Sequence, residues 1–146
     1  MGHRLDRWSA GPTMTTTLRD IYQSYLCCLN RQAWNELGKF VCEDAEHNGR
    51  PFGLEGYRAM LIKDYQDIPD LHFNADTIVS EPPMIAARLT FNCSPKGEFL
   101  GLLLNGRTVS FAENVIYEFE GTKIRRVWSA LDKQAIERQL AVSTGK

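Results

Sequence analysis

Apolar residues recur at helical spacing through the first half of the chain and predict three helices. The stripes cover residues 17–29, 34–41 and 54–68. Gly38 lowers the intrinsic stability of the second helix, and Pro69 ends the third because proline disfavours helical geometry in the residue before it. The stripe residues are Leu18, Ile21, Tyr22, Tyr25, Leu26 and Leu29, then Trp34, Leu37, Phe40 and Val41, then Leu54, Tyr57, Leu61, Tyr65 and Ile68.

From Asp70 the apolar period changes to two, which predicts β-strands. The first strand has one face that is expected to be the more buried one, made of Leu71, Phe73, Ala75, Thr77 and Val79. Further strands are expected at 84–92, 99–104, 107–119 and 123–131. They are separated by turn sequences, of which Asn105-Gly106 is a strong hairpin signal. The polar segment 42–49 is expected to be a loop that leaves the second helix.

Three helices, an antiparallel meander and a closing helix predict an α+β fold. In the expected architecture a curved antiparallel sheet carries the three N-terminal helices over its concave face, and a short C-terminal helix follows. Such a cone encloses a cavity suited to an apolar ligand with a few polar groups. The length of 146 residues corresponds to one domain, placed at 15–142, and the aperiodic residues 1–14 are expected to be a flexible tail.

Composition and charge exclude several classes of protein. Hydrophobic residues make up 43% and charged residues 24% of the chain, which are ordinary globular values. The net charge of −1, with both signs scattered, predicts neither nucleic-acid binding nor attraction to anionic membranes. The chain has no apolar run of 18 residues, and a soluble, cytoplasmic protein is expected. The four cysteines form no C-x-x-C pair, so neither a zinc site nor a disulfide framework is indicated.

The candidate chemistry is proton transfer, because the sequence lacks nucleophile, phosphate-loop, dinucleotide and metalloprotease motifs. No two histidines have the spacing of metal ligands, so no metal is expected. His47 and Asn48 lie in the polar segment after the second helix, where an imidazole near the opening of a cone could titrate in a useful range. Trp34 and Tyr57 are expected to pack in the core and to form part of the cavity wall.

Glu113 and Tyr117 are the polar members of an otherwise apolar strand face. A carboxylate buried there would have a raised pKa and could carry a proton near neutral pH. The alternative is an ion pair between Glu113 and an arginine such as Arg88 or Arg107. Asp132 also has two interpretations, because it directly precedes the closing helix. It could be a catalytic acid at the mouth of the cavity, or it could cap the first turn of that helix, which the sequence favours.

Short motifs along most of residues 17–140 together resemble the SnoaL-like polyketide cyclases, also called ester cyclases. These motifs are Asn30-Arg31-Gln32, His47-Asn48, Gly53-Leu54-Glu55-Gly56, Pro69-Asp70-Leu71, Ala87-Arg88-Leu89-Thr90, Gly97-Glu98-Phe99, Asn105-Gly106-Arg107, Ile116-Tyr117-x-Phe119, Lys123-Ile124 and Gln139-Leu140. The resemblance implies the α+β cone of the nuclear-transport-factor-like superfamily, a homodimer and no cofactor. It also implies that a pocket aspartate acts as general acid and base in an intramolecular aldol closure.

The chain departs from this family at the positions that matter most for that reaction. The family's catalytic aspartate aligns with Ser129, and the histidine that accompanies it aligns with Val115. The resemblance therefore leaves Asp132, Glu113 and His47 as candidate proton carriers, or implies that no aldol cyclisation takes place.

Two hypotheses follow from the sequence. The first is a cofactor-independent cyclase, isomerase or dehydratase acting on a small hydrophobic carbonyl compound, with Tyr117 and Ser129 orienting the carbonyl oxygen while Asp132 or Glu113 moves the proton. The second is a non-catalytic binding or dimerisation module of the same fold. The expected ligand-binding residues are Ser129, Tyr117, Val115, Trp34, Tyr57 and Asn48.

Overall fold

A computed structural model describes residues 16–144 and has an α+β architecture in which helices pack on a curved mixed sheet. The tail expected at 1–14 lies outside the described residues. The helices are α1 (Leu18–Asn30), a 3₁₀ helix (Trp34–Lys39), α2 (Gly53–Asp67) and α3 (Lys133–Thr144). The strands are β1 (Val41–His47), β2 (Asn74–Glu81), β3 (Met84–Cys93), β4 (Glu98–Phe99), β5 (Leu102–Leu103), β6 (Val109–Glu120) and β7 (Lys123–Leu131).

The first and third predicted helices are confirmed. Thr17 and Asp20 form a capping box at the start of α1, since each side chain accepts a hydrogen bond from the other residue's backbone N–H. The apolar stripe of α1 then packs into the core. Helix α2 ends at Asp67, and Ile68 leaves helical geometry directly before Pro69, as the sequence predicted.

The second predicted helix is wrong beyond residue 39. A 3₁₀ helix ends at Lys39, and residues 41–47, expected as helix end and loop, form strand β1. This strand pairs with β7 in parallel orientation, so the sheet is mixed rather than antiparallel. The sequence hides the strand because only Val41, Cys42 and Ala45 are buried in it, which is neither a period of two nor a continuous apolar run.

The five main strands follow the order β1-β7-β6-β3-β2. The boundaries of β7 match the prediction, and β6 forms the centre of the sheet. The segment expected as a strand at 99–104 is a small hairpin of two-residue strands, β4 and β5. Asn105 and Gly106 do adopt the positive φ values that their hairpin signal requires, at 51° and 87°, but the strands on either side of them do not pair.

Strand β2 starts later than predicted and changes face along its length. Its pairing with β3 has a register shift between Ala75 and Thr77. A β-bulge moves every later side chain to the opposite face. Ile78 is therefore partly buried against the core, while Val79, which was predicted to be on the buried face, is 59% exposed.

The closing helix α3 packs across strand β6 with Ile136 fully buried. Within the described range, no helix is long and apolar enough to cross a membrane.

Candidate functional site

A cavity of about 210 Å³ lies between helix α2 and the inner face of the sheet. Its wall is mostly aromatic and aliphatic. The apolar and tyrosine residues that line it are Tyr25, Tyr57, Met60, Leu61, Ile68, Leu71, Phe73, Phe91, Phe99, Phe111, Val115, Tyr117, Val127 and Leu131. The remaining lining residues are His47, Asp64, Glu113 and Ser129, so both carboxylates in the wall lie in apolar surroundings.

The pairing of β6 with β7 brings Glu113 and Ser129 together. Val115 lies directly opposite Ser129, and Glu113 is two residues from Val115 on the same face of the sheet. The two side chains are therefore diagonal neighbours, and the Ser129 hydroxyl donates a short hydrogen bond to the Glu113 carboxylate. Val115 and Ser129 are thus a cross-strand pair, and Glu113 places a carboxylate next to them.

The predicted alternative for Glu113, an ion pair with arginine, is wrong for the described residues, because none of their ion pairs includes Glu113. Arg88 lies near Asp76 and donates a hydrogen bond to Asn114. Burial in the cavity wall raises the pKa of Glu113, and the hydrogen bond from Ser129 partly offsets this effect. The result is a carboxylate that is held in place by one hydroxyl and has no cation to neutralise it.

Asp64 is the cavity carboxylate that the sequence analysis missed. It reaches the cavity from α2, and burial followed by repulsion from Glu113 raises its pKa from 3.8 to about 7. Asp67 adds to this rise, and Lys63 opposes it. A signal was present in the sequence, since Asp64 falls in the helical stripe of Tyr57, Leu61 and Ile68 and is its one charged member.

Two pairs of tyrosine hydroxyls lie against the cavity. The Tyr22 hydroxyl donates to that of Tyr117 at 3.2 Å, and the Tyr25 and Tyr57 hydroxyls are 2.6 Å apart. Burial raises the pKa of all four phenols, so they remain protonated at neutral pH. Each pair uses one hydrogen internally, which leaves a second O–H to donate to a ligand.

His47 lines the cavity from the end of β1, as the sequence suggested for an imidazole near the opening. Its ring stacks on Phe52 with centroids 5.9 Å apart and meets Tyr57 edge-on at 6.1 Å. Burial and the nearby Arg50 lower the pKa of His47 below 6.5. The imidazole is therefore neutral at pH 7 and provides no positive charge for the two carboxylates.

Three predicted site residues do not line the cavity. Asp132 accepts a hydrogen bond from the backbone N–H of Ala135 at 3.2 Å, which confirms the capping interpretation and places it outside the cavity wall. Trp34 packs against Tyr65 with ring centroids 5.7 Å apart. Asn48 binds the backbone of strand β7. Its side chain accepts a hydrogen bond from the Ser129 N–H at 2.8 Å and donates one to the Ser129 carbonyl at 3.3 Å.

The donor set of the cavity does not resemble a metal site. Among residues 16–144, no group of three or more His, Cys, Asp and Glu side chains is close enough to bind a metal ion.

Comparisons with known proteins agree on one family. The model of the SnoaL-like polyketide cyclase family matches residues 19–140. A SnoaL-like polyketide cyclase from Agrobacterium tumefaciens is 61% identical, with a TM-score of 0.86 over 86% of this chain and 99% of that one. None of the curated proteins compared with the chain matches it.

More distant structures share the fold. TsrD from Streptomyces laurentii is 25% identical, with a TM-score of 0.72 over 84% of this chain and 93% of that one. IdmH from Streptomyces antibioticus, a candidate polyketide cyclase, is 18% identical, with a TM-score of 0.74 over 86% of this chain and 99% of that one.

Proposed function

Because the chain belongs to the SnoaL-like polyketide cyclase family, we propose that it catalyses proton transfer on a small, neutral carbonyl compound bound in the cavity, without a cofactor. Glu113 is the general base. The observation that carries this proposal is the Glu113 carboxylate itself, which lies in an apolar wall, hydrogen-bonded by Ser129, with no cation beside it. A desolvated carboxylate of this kind can take a proton and return it.

The reaction begins at a carbon next to the carbonyl group. Glu113 removes a proton from this carbon, the electron pair of the C–H bond forms a C=C bond, and the carbonyl π pair moves to oxygen. The free O–H of Tyr117 or of the Tyr25–Tyr57 pair donates to that oxygen, where negative charge develops. The enol carbon then either attacks a second carbonyl carbon, which is cyclisation, or regains the proton at another position, which is isomerisation.

The size of the cavity limits the substrate. A cavity of 150 Å³ holds one benzene molecule, and ligand pockets for drug-sized compounds span about 300–1,000 Å³. The present cavity of about 210 Å³ therefore suits a compound of one or two rings. The aromatic wall favours flat, apolar ligands, and the two carboxylates disfavour ligands that carry a carboxylate of their own.

The exchange of α-protons for deuterium tests this function without knowledge of the natural substrate. The probe is 2-tetralone, a neutral ketone with two fused rings, incubated in D₂O and followed by ¹H NMR against a protein-free sample. We expect the protein to accelerate exchange and Glu113→Gln to lose about 10²-fold or more of this acceleration, which is the usual contribution of a general base. Glu118→Gln is the matched control, because Glu118 lies on the same strand and bonds Arg126 on the other face.

Equal acceleration by the wild-type protein and Glu113→Gln would contradict the assignment of Glu113 as the base. Exchange no faster than in the protein-free sample would refute the proposed function and favour a non-catalytic binding module.

We also propose that the protein is a homodimer that buries the outer face of its sheet. Cross-strand pairing places four apolar side chains in one row across four strands: Val79, Ala86, Ile116 and Trp128. Val79, Ile116 and Trp128 are 59%, 44% and 43% exposed. An exposed apolar row of this length is typical of a contact surface, and a second copy offers an identical row.

Sedimentation velocity tests the dimer. We expect the wild-type protein to sediment as a dimer and Trp128→Glu to sediment as a folded monomer, because the new charge would be buried at the interface. Arg88→Gln is a control for a polar change on the same face of the sheet. A monomeric wild-type protein, or a Trp128→Glu variant that remains dimeric, would refute this interface.

A further inference from the structure

The cavity holds a second carboxylate, that of Asp64, in addition to that of Glu113. Asp64 reaches it from helix α2 and Glu113 from strand β6, so two acidic groups from different layers of the fold share one small apolar space. The cavity wall contains no lysine or arginine. Two carboxylates that share one apolar cavity without a cation cannot both ionise easily.

We propose that Asp64 is the acid of this site, which hydrogen-bonds the carbonyl oxygen of the substrate and gives it a proton while Glu113 removes the proton from the neighbouring carbon. This inference rests on the proposed function and adds a second catalytic residue to it. It also defines the substrate more closely, as a neutral ketone or ester whose carbonyl oxygen can reach α2 while its α-carbon lies against β6.

The hydrogen bonds decide which carboxylate is the acid. Glu113 accepts the Ser129 hydroxyl, which favours its ionised form. No residue in the range 16–144 donates a hydrogen bond to the Asp64 side chain. With no donor to stabilise its anion and with Glu113 charged nearby, Asp64 is the group that keeps its proton. Its carboxyl is also free to bond a ligand, since no other described side chain competes for it.

The charges around Asp64 together raise its pKa, because the effect of Glu113 is larger than that of Lys63. From its own helix, Asp67 raises its pKa and Lys63 lowers it, but Lys63 is already bound to Asp67 at 2.8 Å. From β6, Glu113 raises it. The other titratable groups of the cavity wall are neutral at pH 7, namely His47 on β1, Tyr25 on α1, Tyr57 on α2 and Tyr117 on β6.

The proton transfers balance. Glu113 gains the α-proton as the C–H bond breaks, and the carbonyl oxygen gains the proton of Asp64, so a neutral enol forms between a protonated Glu113 and an ionised Asp64. In the return step Asp64 takes back the O–H proton, and Glu113 gives its proton to carbon. In a cyclisation, the Glu113 proton instead goes to the oxygen of the second carbonyl as the new C–C bond forms.

The pH dependence of 2-tetralone exchange tests the role of Asp64 separately from that of Glu113. For the wild-type protein we expect a bell-shaped profile, with a rate that rises as Glu113 ionises and falls near and above pH 7 as Asp64 ionises. Asp64→Asn should lower the maximal rate by about 10²-fold or more and remove the alkaline limb, because an amide does not titrate. Asp67→Asn, the same change on the same helix outside the cavity, should keep the maximal rate and the bell shape, and should only move the alkaline limb to lower pH, because Asp67 raises the pKa of Asp64.

The possible results separate the two proposals. If Glu113→Gln is inactive while Asp64→Asn keeps the full rate and the alkaline limb, Asp64 is not the acid and the proposed function stands. If the wild-type protein gives no acceleration, the proposed function and this inference are both refuted. If Asp64→Asn is inactive while Glu113→Gln is fully active, the assignment of base and acid is wrong and the inference is overturned. Near-UV circular dichroism of each variant verifies that it is folded.

Discussion

Asp64→Asn should make the protein more stable at alkaline pH, an effect that needs no substrate to measure. Ionising Asp64 in the folded protein requires a charge in an apolar cavity beside Glu113, whereas in the unfolded chain it is solvated. Its pKa is therefore raised on folding, from 3.8 to about 7. A group with a raised folded pKa contributes stability that is fully present below the unfolded value and is lost as the pH rises through the folded value.

The magnitude follows from the shift. At 1.36 kcal/mol per pKa unit, a change from 3.8 to about 7 corresponds to at most about 4 kcal/mol, and partial exposure to solvent reduces this to about 2–4 kcal/mol. The wild-type protein should lose this stability between about pH 4 and pH 7. Asparagine does not titrate, so the free energy of unfolding of Asp64→Asn should exceed that of the wild type by about 2–4 kcal/mol at pH 8 and nearly equal it at pH 4.

Urea unfolding of the two proteins at a series of pH values from 4 to 8, followed by circular dichroism, measures this difference. Asp67→Asn provides a control of opposite sign, because it breaks the surface ion pair with Lys63 and should cost about 0.2–1 kcal/mol. A difference between Asp64→Asn and the wild type that stays constant from pH 4 to pH 8, or a destabilised variant at pH 8, would show that Asp64 is solvated and would refute the electrostatic account of the cavity.

Three further predictions concern the support of the site. Ser129→Ala removes the hydroxyl that stabilises the Glu113 anion through a charge-assisted hydrogen bond worth about 1.5–3 kcal/mol. The acid limb of the exchange profile, where the rate rises as Glu113 ionises, should therefore move up by about 1–2 pH units. An acid limb at the same pH as in the wild type would contradict this. Asp132→Ala removes a helix cap and should lower the free energy of unfolding by about 0.5–2 kcal/mol in urea titrations, with exchange unchanged. Asn48→Ala loses two bonds to β7 and strains a residue with a φ of 50°, so thermal unfolding should show a larger loss of stability than for Asn48→Gly, which tolerates that φ.

Local patterns in the sequence determined most of the secondary structure. The stripes of α1 and α2, the stop before Pro69 and the alternation in β3, β6 and β7 depend on residues a few positions apart, and the structure agrees with them. The α+β class follows from the order of these elements, and the family resemblance follows from short residue motifs along them. The odd polar position of Glu113 on an apolar face was visible for the same reason, because a strand of known parity assigns each residue to one face.

Only the tertiary structure decided which side chains share the cavity. The parallel pairing of β1 with β7 and the bulge in β2 arise between segments distant in sequence, so no local period reveals them. Asp64 and Glu113 come from a helix and a strand that meet only when α2 packs on the sheet, and their mutual repulsion exists only in that packed, desolvated state. Asp132, which the sequence made equally conspicuous, lies instead at the start of α3, where the free N–H groups of a helix stabilise it.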